Sequence, residues 1–452
     1  MKGEAYGTRR TRNGPSESIS LRLRVSLSSR EEPCPLDPST AFFIPSTSPF
    51  HEIPPPDGSG ERLTFEGGKL YSCRIMRFGF DLRPFLKQET GVGVYYRNLL
   101  FELAAIDREN EYVLFSASWK DRFPASKIPP FENRRFRDVK LPVRLVDLLW
   151  SKWERPRLES FFRASLDLTH SPTPLILPTR GRKIVTVYDL FFLDFPDRAD
   201  RQARTHFARR IASALERADG IVTISHYTRS ELLARFDVPE DKVRVIHLGI
   251  DPGFGEPLPV QLLQALMRKH GLPREFLLFA GALEPRKNLP ALIGAFGRVR
   301  EKRLQCGLVL AGRPGSDLPR IQAAVAASRL EDAVRVLGYL PERELRGLYQ
   351  TASGFVYPSS CEGFGLPLLE AMAAGCPLAA STAGAIPEVA GDAALLFSPE
   401  GTEDMAAALL RLLEDEALRR SLVEKGRERV RDFGWADMAA ATLAFYRDVL
   451  KT

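Results

Sequence analysis

The stretch Glu362-Gly363-Phe364-Gly365-Leu366-Pro367-Leu368-Leu369-Glu370 sets two carboxylates around a glycine turn. Before it, Gly354-Phe355-Val356-Tyr357-Pro358-Ser359 reads as a short buried strand. After the turn, Leu366 to Ala374 reads as a helix with Pro367 in its first turn and Gly375 at its end. Glu362 therefore belongs to a strand-to-helix loop, and Glu370 to the helix, one to two turns on. A helix N-terminus offers unpaired N–H groups and partial positive charge, which suit phosphate, and glycines let a ligand approach the backbone closely. Carboxylates do not bind phosphate, but they accept hydrogen bonds from hydroxyls. The combination fits a ligand that carries both, as a sugar nucleotide does; an exposed acidic turn before an ordinary amphipathic helix is the plain alternative.

A second element lies upstream. Residues 276–281, Phe-Leu-Leu-Phe-Ala-Gly, form an apolar strand ending in Gly281, and Ala282-Leu283-Glu284-Pro285-Arg286-Lys287-Asn288 leads into a helical pattern through Arg298. Cations favour helix C-termini, so Arg286 and Lys287 at a helix start ask for an anion. The carboxyl ends of strands in an open parallel sheet are where ligands bind. A solvated helix start is the alternative here.

Three further segments join these two: Ala371-Met372-Ala373-Ala374-Gly375-Cys376-Pro377, Gly338-Tyr339-Leu340 before a helix, and Ser381-Thr382-Ala383-Gly384-Ala385-Ile386-Pro387-Glu388-Val389. Together they carry a resemblance. From about Met76 to its C-terminus the chain resembles retaining glycosyltransferases of the group 1 type, in particular their bacterial mannosyltransferase-like members. The resemblance implies an α/β fold of the GT-B kind: two facing Rossmann-like domains with parallel sheets and a C-terminal helix that crosses back to the first domain. It implies that Glu362 contacts the donor sugar and that Lys287, helped by Arg286, neutralises the departing diphosphate. Glu370 would hold the ribose hydroxyls, and the N–H groups of Gly363, Phe364, Gly365 and Leu366 would orient sugar and phosphate. The stretch around Gly338 would lie against the base. Gly93, in Gly91-Val92-Gly93 before a helical run from Val94 to Ala105, would belong to a loop that closes over the donor, or else to a plain helix start.

The implied reaction moves a hexose, mannose from GDP-mannose being the first expectation, from a nucleotide diphosphate sugar to a glycan or lipid-linked glycan, as in polysaccharide or lipopolysaccharide biosynthesis. It uses no protein nucleophile, and no Ser/His/Asp or Cys/His arrangement is evident. An Asp-x-Asp pair at a strand end and a His/Cys spacing for zinc are also missing from the sequence, so neither a metal nor a cofactor is expected. Two positions depart from the family pattern. Ala282 stands where many members carry arginine, and Thr186-Val187-Tyr188-Asp189-Leu190 has tyrosine where many carry histidine. Tyr188 can donate a hydrogen bond but is a poor base near neutrality. His170 ends a nearby strand and either lines the acceptor cleft or is a satisfied core histidine. The competing readings are a catalytically impaired, glycosyltransferase-like binding or scaffold subunit, and a GT-B sugar-nucleotide epimerase or phosphorylase.

A chain of 452 residues, 44% of them apolar, suggests two domains. Apolar runs at 183–187, 221–224, 243–247, 276–280, 308–311 and 334–337 alternate with helical patterns, which indicates parallel sheets. The expected division is an N-terminal acceptor-side domain over 76–250, a hinge near Ile246 to Pro252, a nucleotide-sugar domain over 251–434 and the crossing helix over 435–452. Residues 1–75, rich in Ser, Pro, Arg and Gly, lack periodicity. They read as a disordered or mis-called extension, with Met76 as the start to test by intact mass. Five irregularly spaced cysteines form no disulfide framework and suit a reducing cytoplasm.

The net charge is +7, or +6 without residues 1–75. Arg134, Arg135, Arg137, Arg144, Lys152, Arg155, Arg157 and Arg163 interleave with Trp150, Trp153, Phe161 and Phe162. Such a mixture suits peripheral binding to an anionic membrane surface, or an ordinary solvated face over a buried aromatic stripe. No nucleic-acid-binding module accompanies the charge.

Overall fold

In a computed structural model, the protein is described over residues 61–66, 69–86, 91–120, 122–194, 208 and 210–452. Residues 61–66 and 69–74 form two antiparallel strands, β1 (Glu61–Glu66) and β2 (Lys69–Arg74), paired from Glu61↔Arg74 to Glu66↔Lys69. Within the expected disordered or mis-called extension, these two strands are regular structure; residues 1–60 lie outside the described residues.

Two parallel sheets make the body. The first contains β3 (Arg77–Asp81), β4 (Glu111–Ala117), β5 (Arg134–Val139), β6 (Leu168–Ser171), β7 (Arg182–Val187), β8 (Gly220–Thr223) and β9 (Val243–Val245), in the order β5-β4-β3-β6-β7-β8-β9. The second contains β10 (Glu275–Ala280), β11 (Cys306–Ala311), β12 (Val334–Gly338), β13 (Gly354–Tyr357), β14 (Leu378–Ser381) and β15 (Ala394–Phe397), ordered β12-β11-β10-β13-β14-β15. Each is the doubly wound Rossmann order, whose direction reverses at one point, β3 beside β6 and β10 beside β13.

Local sequence explains these elements. The run from Phe276 to Ala280 is buried throughout because helices cover both faces of a parallel strand. Helix Leu289–Lys302 buries Leu289, Leu292, Ile293, Phe296 and Val299, an apolar stripe at helical spacing, and carries Arg300 and Lys302 in its last turn, where the dipole favours cations. The expected strand over 243–247 stops at Val245, because the chain there leaves the sheet for the hinge. At the hinge, Ile250 N donates to Phe433 O at 3.0 Å, so the outgoing and returning crossings lie together. Helix Trp435–Lys451 then packs along helix Gly91–Ile106 of the first domain.

Candidate active site

The loops after β10 and β13 flank the reversal point of the second sheet, and both sequence motifs occupy them. Pro285–Lys287 forms a single 3-10 turn ended by Asn288 in the left-handed region, φ 55°, so the helix starts at Leu289 rather than at the cationic residues. The loops are tied to each other. Ser360 N and its Oγ both donate to Arg286 O, at 2.8 and 3.1 Å.

Across this tie the two cations converge on one carboxylate. Arg286 Nη1 donates to Glu362 Oε2 at 2.7 Å, and Lys287 Nζ pairs with Glu362 Oε1. Lys287 Nζ also donates to the Tyr357 hydroxyl at 2.9 Å, and Arg286 Nε reaches Glu284 at 3.1 Å. Lys287 and Glu362 are buried, with side chains 5% and 7% exposed. Burial alone would raise the Glu362 carboxyl, but Arg286 and Lys287 more than offset it and hold it at about 2. Burial, then the neighbouring guanidinium, pushes the Lys287 ammonium below its ordinary value against the pull of Glu362. Asp189 of the first domain faces the same cluster. Its burial raises its carboxyl, opposed by Arg286 and reinforced by Glu362.

Glu370 lies on helix Leu366–Ala373, where Tyr349 donates its hydroxyl to Oε2 at 2.8 Å. Gly365, with φ 104°, makes the turn into this helix. Gly363 packs directly on the first domain: a Cβ there would lie 1.9 Å from the Tyr188 carbonyl oxygen. Among the described residues the N–H groups of Gly363, Phe364 and Gly365 make no hydrogen bond. Phe364 is buried, edge-on to Phe433 with ring centroids 5.8 Å apart. Gly338 ends β12 with φ 70° and open space on its Cβ side, followed by the exposed Tyr339, over which Arg313 lies at 5.3 Å.

For Gly93 and His170 the structure takes one of the two places the sequence left open. Gly91 to Gly93 are the plain helix start, the first turn of helix Gly91–Ile106 at the carboxyl end of β3, with Gly93 buried. The Tyr188 hydroxyl is buried without a hydrogen-bond partner among the described residues, and its ring stands edge-on to Tyr95 at 5.6 Å. Its carbonyl accepts from Thr228 Oγ1 at 3.0 Å within the first domain and lies against Gly363 of the second. His170 is fully buried; its Nδ1 lies 2.6 Å from the Tyr446 hydroxyl and its Nε2 2.8 Å from Thr186 Oγ1, and burial lowers it to about 3. It is a neutral core residue. Burial raises the Cys361 thiol to about 12, which leaves it a poor nucleophile. Sequence reasoning missed Tyr349 and Tyr357. The position of Tyr357 at the end of the strand before the glycine turn could have signalled it.

Comparison with known proteins matches this frame half by half. Residues 90–254 match the model described as Glycosyltransferase Family 4, and residues 264–429 that described as Glycosyl transferases group 1. The chain is 29% identical over 384 residues to an Escherichia coli O-antigen chain mannosyltransferase B, covering 82% of this chain and all of the relative. It is 28% identical to a Mycolicibacterium hassiacum MMP alpha-(1->4)-mannosyltransferase, covering 80% of this chain and 95% of that one. Among solved structures, sucrose-phosphate synthase from Thermosynechococcus elongatus shares the fold with a TM-score of 0.66 at 23% identity, covering 82% of this chain and 98% of that chain. Anabaena HepE, solved in complex with UDP-glucose, shares it with a TM-score of 0.64 at 16% identity, covering 82% and 99%. With both family halves in order on two facing parallel-sheet domains, the chain belongs to the group 1 glycosyltransferases of the GT-B fold, as a bacterial mannosyltransferase-like member.

Proposed function

We propose that the protein transfers a hexose, mannose from GDP-mannose first, from a nucleotide diphosphate sugar to a glycan or lipid-linked glycan with retention of configuration. The observation that carries this reading is the sharing of one buried carboxylate, Glu362, by Arg286 and Lys287 at the sheet's reversal point. An arriving diphosphate competes with Glu362 for both cations, and the carboxylate so released accepts hydrogen bonds from the sugar. Glu370 accepts the ribose hydroxyls. As the anomeric C–O bond to the diphosphate breaks, the cations hold the leaving charge, an effect that can supply several kcal/mol. The acceptor oxygen bonds the same face and passes its proton to a leaving phosphate oxygen. In this reading the protein's own cations meet the charge, so no cofactor is required. Mannose is supported by the Escherichia coli and Mycolicibacterium relatives, both mannosyltransferases, and a glycan acceptor by the Escherichia coli one, an O-antigen chain mannosyltransferase.

Thermal unfolding with GDP, UDP, ADP and their sugar conjugates tests the reading. Stabilisation by one nucleotide family is expected, about 2.7 kcal/mol at 100 times the dissociation constant. Glu362→Ala and Lys287→Ala should abolish transfer. No response to any nucleotide would favour the scaffold reading, which the departures at Ala282 and Tyr188 motivate.

A further inference from the structure

The segment Ala385-Ile386-Pro387-Glu388-Val389 has no part in the donor chemistry above, yet Glu388 reaches out of its own domain. Its short helix, Ile386–Ala390, is held at both ends. Arg429 Nη2 donates to Glu388 O at 2.7 Å and Arg429 Nε to Val389 O at 3.2 Å, while Ala385 N donates to Glu362 O at 2.9 Å. From this anchored position the carboxylate enters the first domain. Oε1 accepts from His226 N at 2.8 Å, Oε2 accepts from Tyr227 N at 3.0 Å, and His247 Nε2 lies 2.8 Å from Oε1.

His226 and Tyr227 open helix His226–Arg235, whose unpaired N–H groups and dipole favour a carboxylate. His247 belongs to the interdomain hinge and also meets Phe364 and Phe433, with ring centroids at 6.0 and 5.7 Å. Partial burial works against the charge, but His247 and the two N–H groups hold the Glu388 carboxyl below its ordinary value. The same helix start carries Thr228, whose Oγ1 donates to Tyr188 O at 3.0 Å and lies 3.5 Å from Gly363 O. One helix turn thus grips Glu388 on one side and the Glu362-Gly363 loop on the other. Opening the cleft breaks both grips together.

We propose that Glu388 is a positioning residue for transfer: docked on the first-domain helix, it holds the two domains closed with the Glu362 loop seated against Tyr188. This rests on the transferase reading of the site, and its test separates the two. In the full chain, Glu388→Ala should lower kcat at saturating substrates at least tenfold and change the nucleotide Kd, by calorimetry, less than threefold. It should also enlarge the radius of gyration measured by small-angle scattering with nucleotide bound. Glu388→Gln, which keeps one acceptor oxygen, should recover part of both losses, and it carries the test if the alanine variant does not fold. Adding His247→Ala to Glu388→Ala should cost little further. Unchanged kcat and scattering in Glu388→Ala would overturn the proposal. So would lost nucleotide affinity with kcat intact, which would make Glu388 a donor ligand. Scattering and calorimetry report closure and binding even where no acceptor is found, so failure of the transferase reading leaves this test readable.

Discussion

Glu370 is the site residue whose charge its surroundings leave most finely balanced. Burial raises its carboxyl from an ordinary 4.5 to about 7, opposed by the Tyr349 hydroxyl and aided by Glu342. Between those values the unfolded chain is ionised and the folded protein is not, so this group's contribution to stability is lost as pH rises toward 7 and levels off above it. Ribose hydroxyls donating to the carboxylate favour the charged form. Nucleotide affinity should therefore rise with pH up to about 7, at most about tenfold per unit, and then flatten. Calorimetry across this range should show that slope in the wild type and lose it in Glu370→Gln; a flat wild-type profile would remove Glu370 from the nucleotide contacts. Glu370 was legible as a residue because its spacing from the glycine turn is local. Its protonation was not, since the burial that raises the carboxyl comes from packing against other elements.

At the scale of elements, helix Val143–Trp153 stands out for being apolar on both sides. Val146 and Trp150 face the core, and Trp150 Nε1 donates to Pro156 O at 2.9 Å. Leu145, Leu148 and Trp153 are exposed, beside Arg144 and Lys152. Lys152 Nζ lies 5.0 Å over the Trp153 ring, and nearby Lys140 Nζ lies 5.5 Å over exposed Trp119. An ordinary surface helix hides its apolar stripe; cations around a second one suit an anionic membrane surface. No helix among the described residues is long and apolar enough to cross a membrane. Sedimentation with phosphatidylserine vesicles should show binding that falls at least tenfold in a Leu145→Glu, Leu148→Glu double variant, with the nucleotide-induced thermal shift unchanged. Equal binding by the variant would sink the membrane reading. The basic and aromatic spacing was visible along the chain, but not which aromatics belong to the buried stripe: Trp150 is core, and Phe161 packs on Phe115 at 4.7 Å.

At the scale of the molecule, the last helix makes the two domains interdependent. Tyr446 on helix Trp435–Lys451 meets His170 on β6 inside the first domain. Tyr446→Phe leaves a fully buried ring nitrogen without that partner and should cost about 1–3 kcal/mol of stability, with nucleotide affinity unchanged; urea unfolding followed beside calorimetry checks both. Two parallel-sheet domains and the two strand-to-helix loops were determined by the sequence itself, while the return of the last helix to the first domain came only with the family resemblance. Apolar runs, helical stripes and Gly/Pro punctuation act between near neighbours in the chain and survive reading without coordinates. Only the tertiary structure decided that Arg286 and Lys287 share Glu362, that Tyr188 offers a carbonyl while its hydroxyl is buried, that His170 is core, and that Glu388 crosses the cleft. Those facts depend on distances between residues far apart in sequence. Such distances are set by how two sheets and their helices pack across a hinge, and no local period encodes that packing.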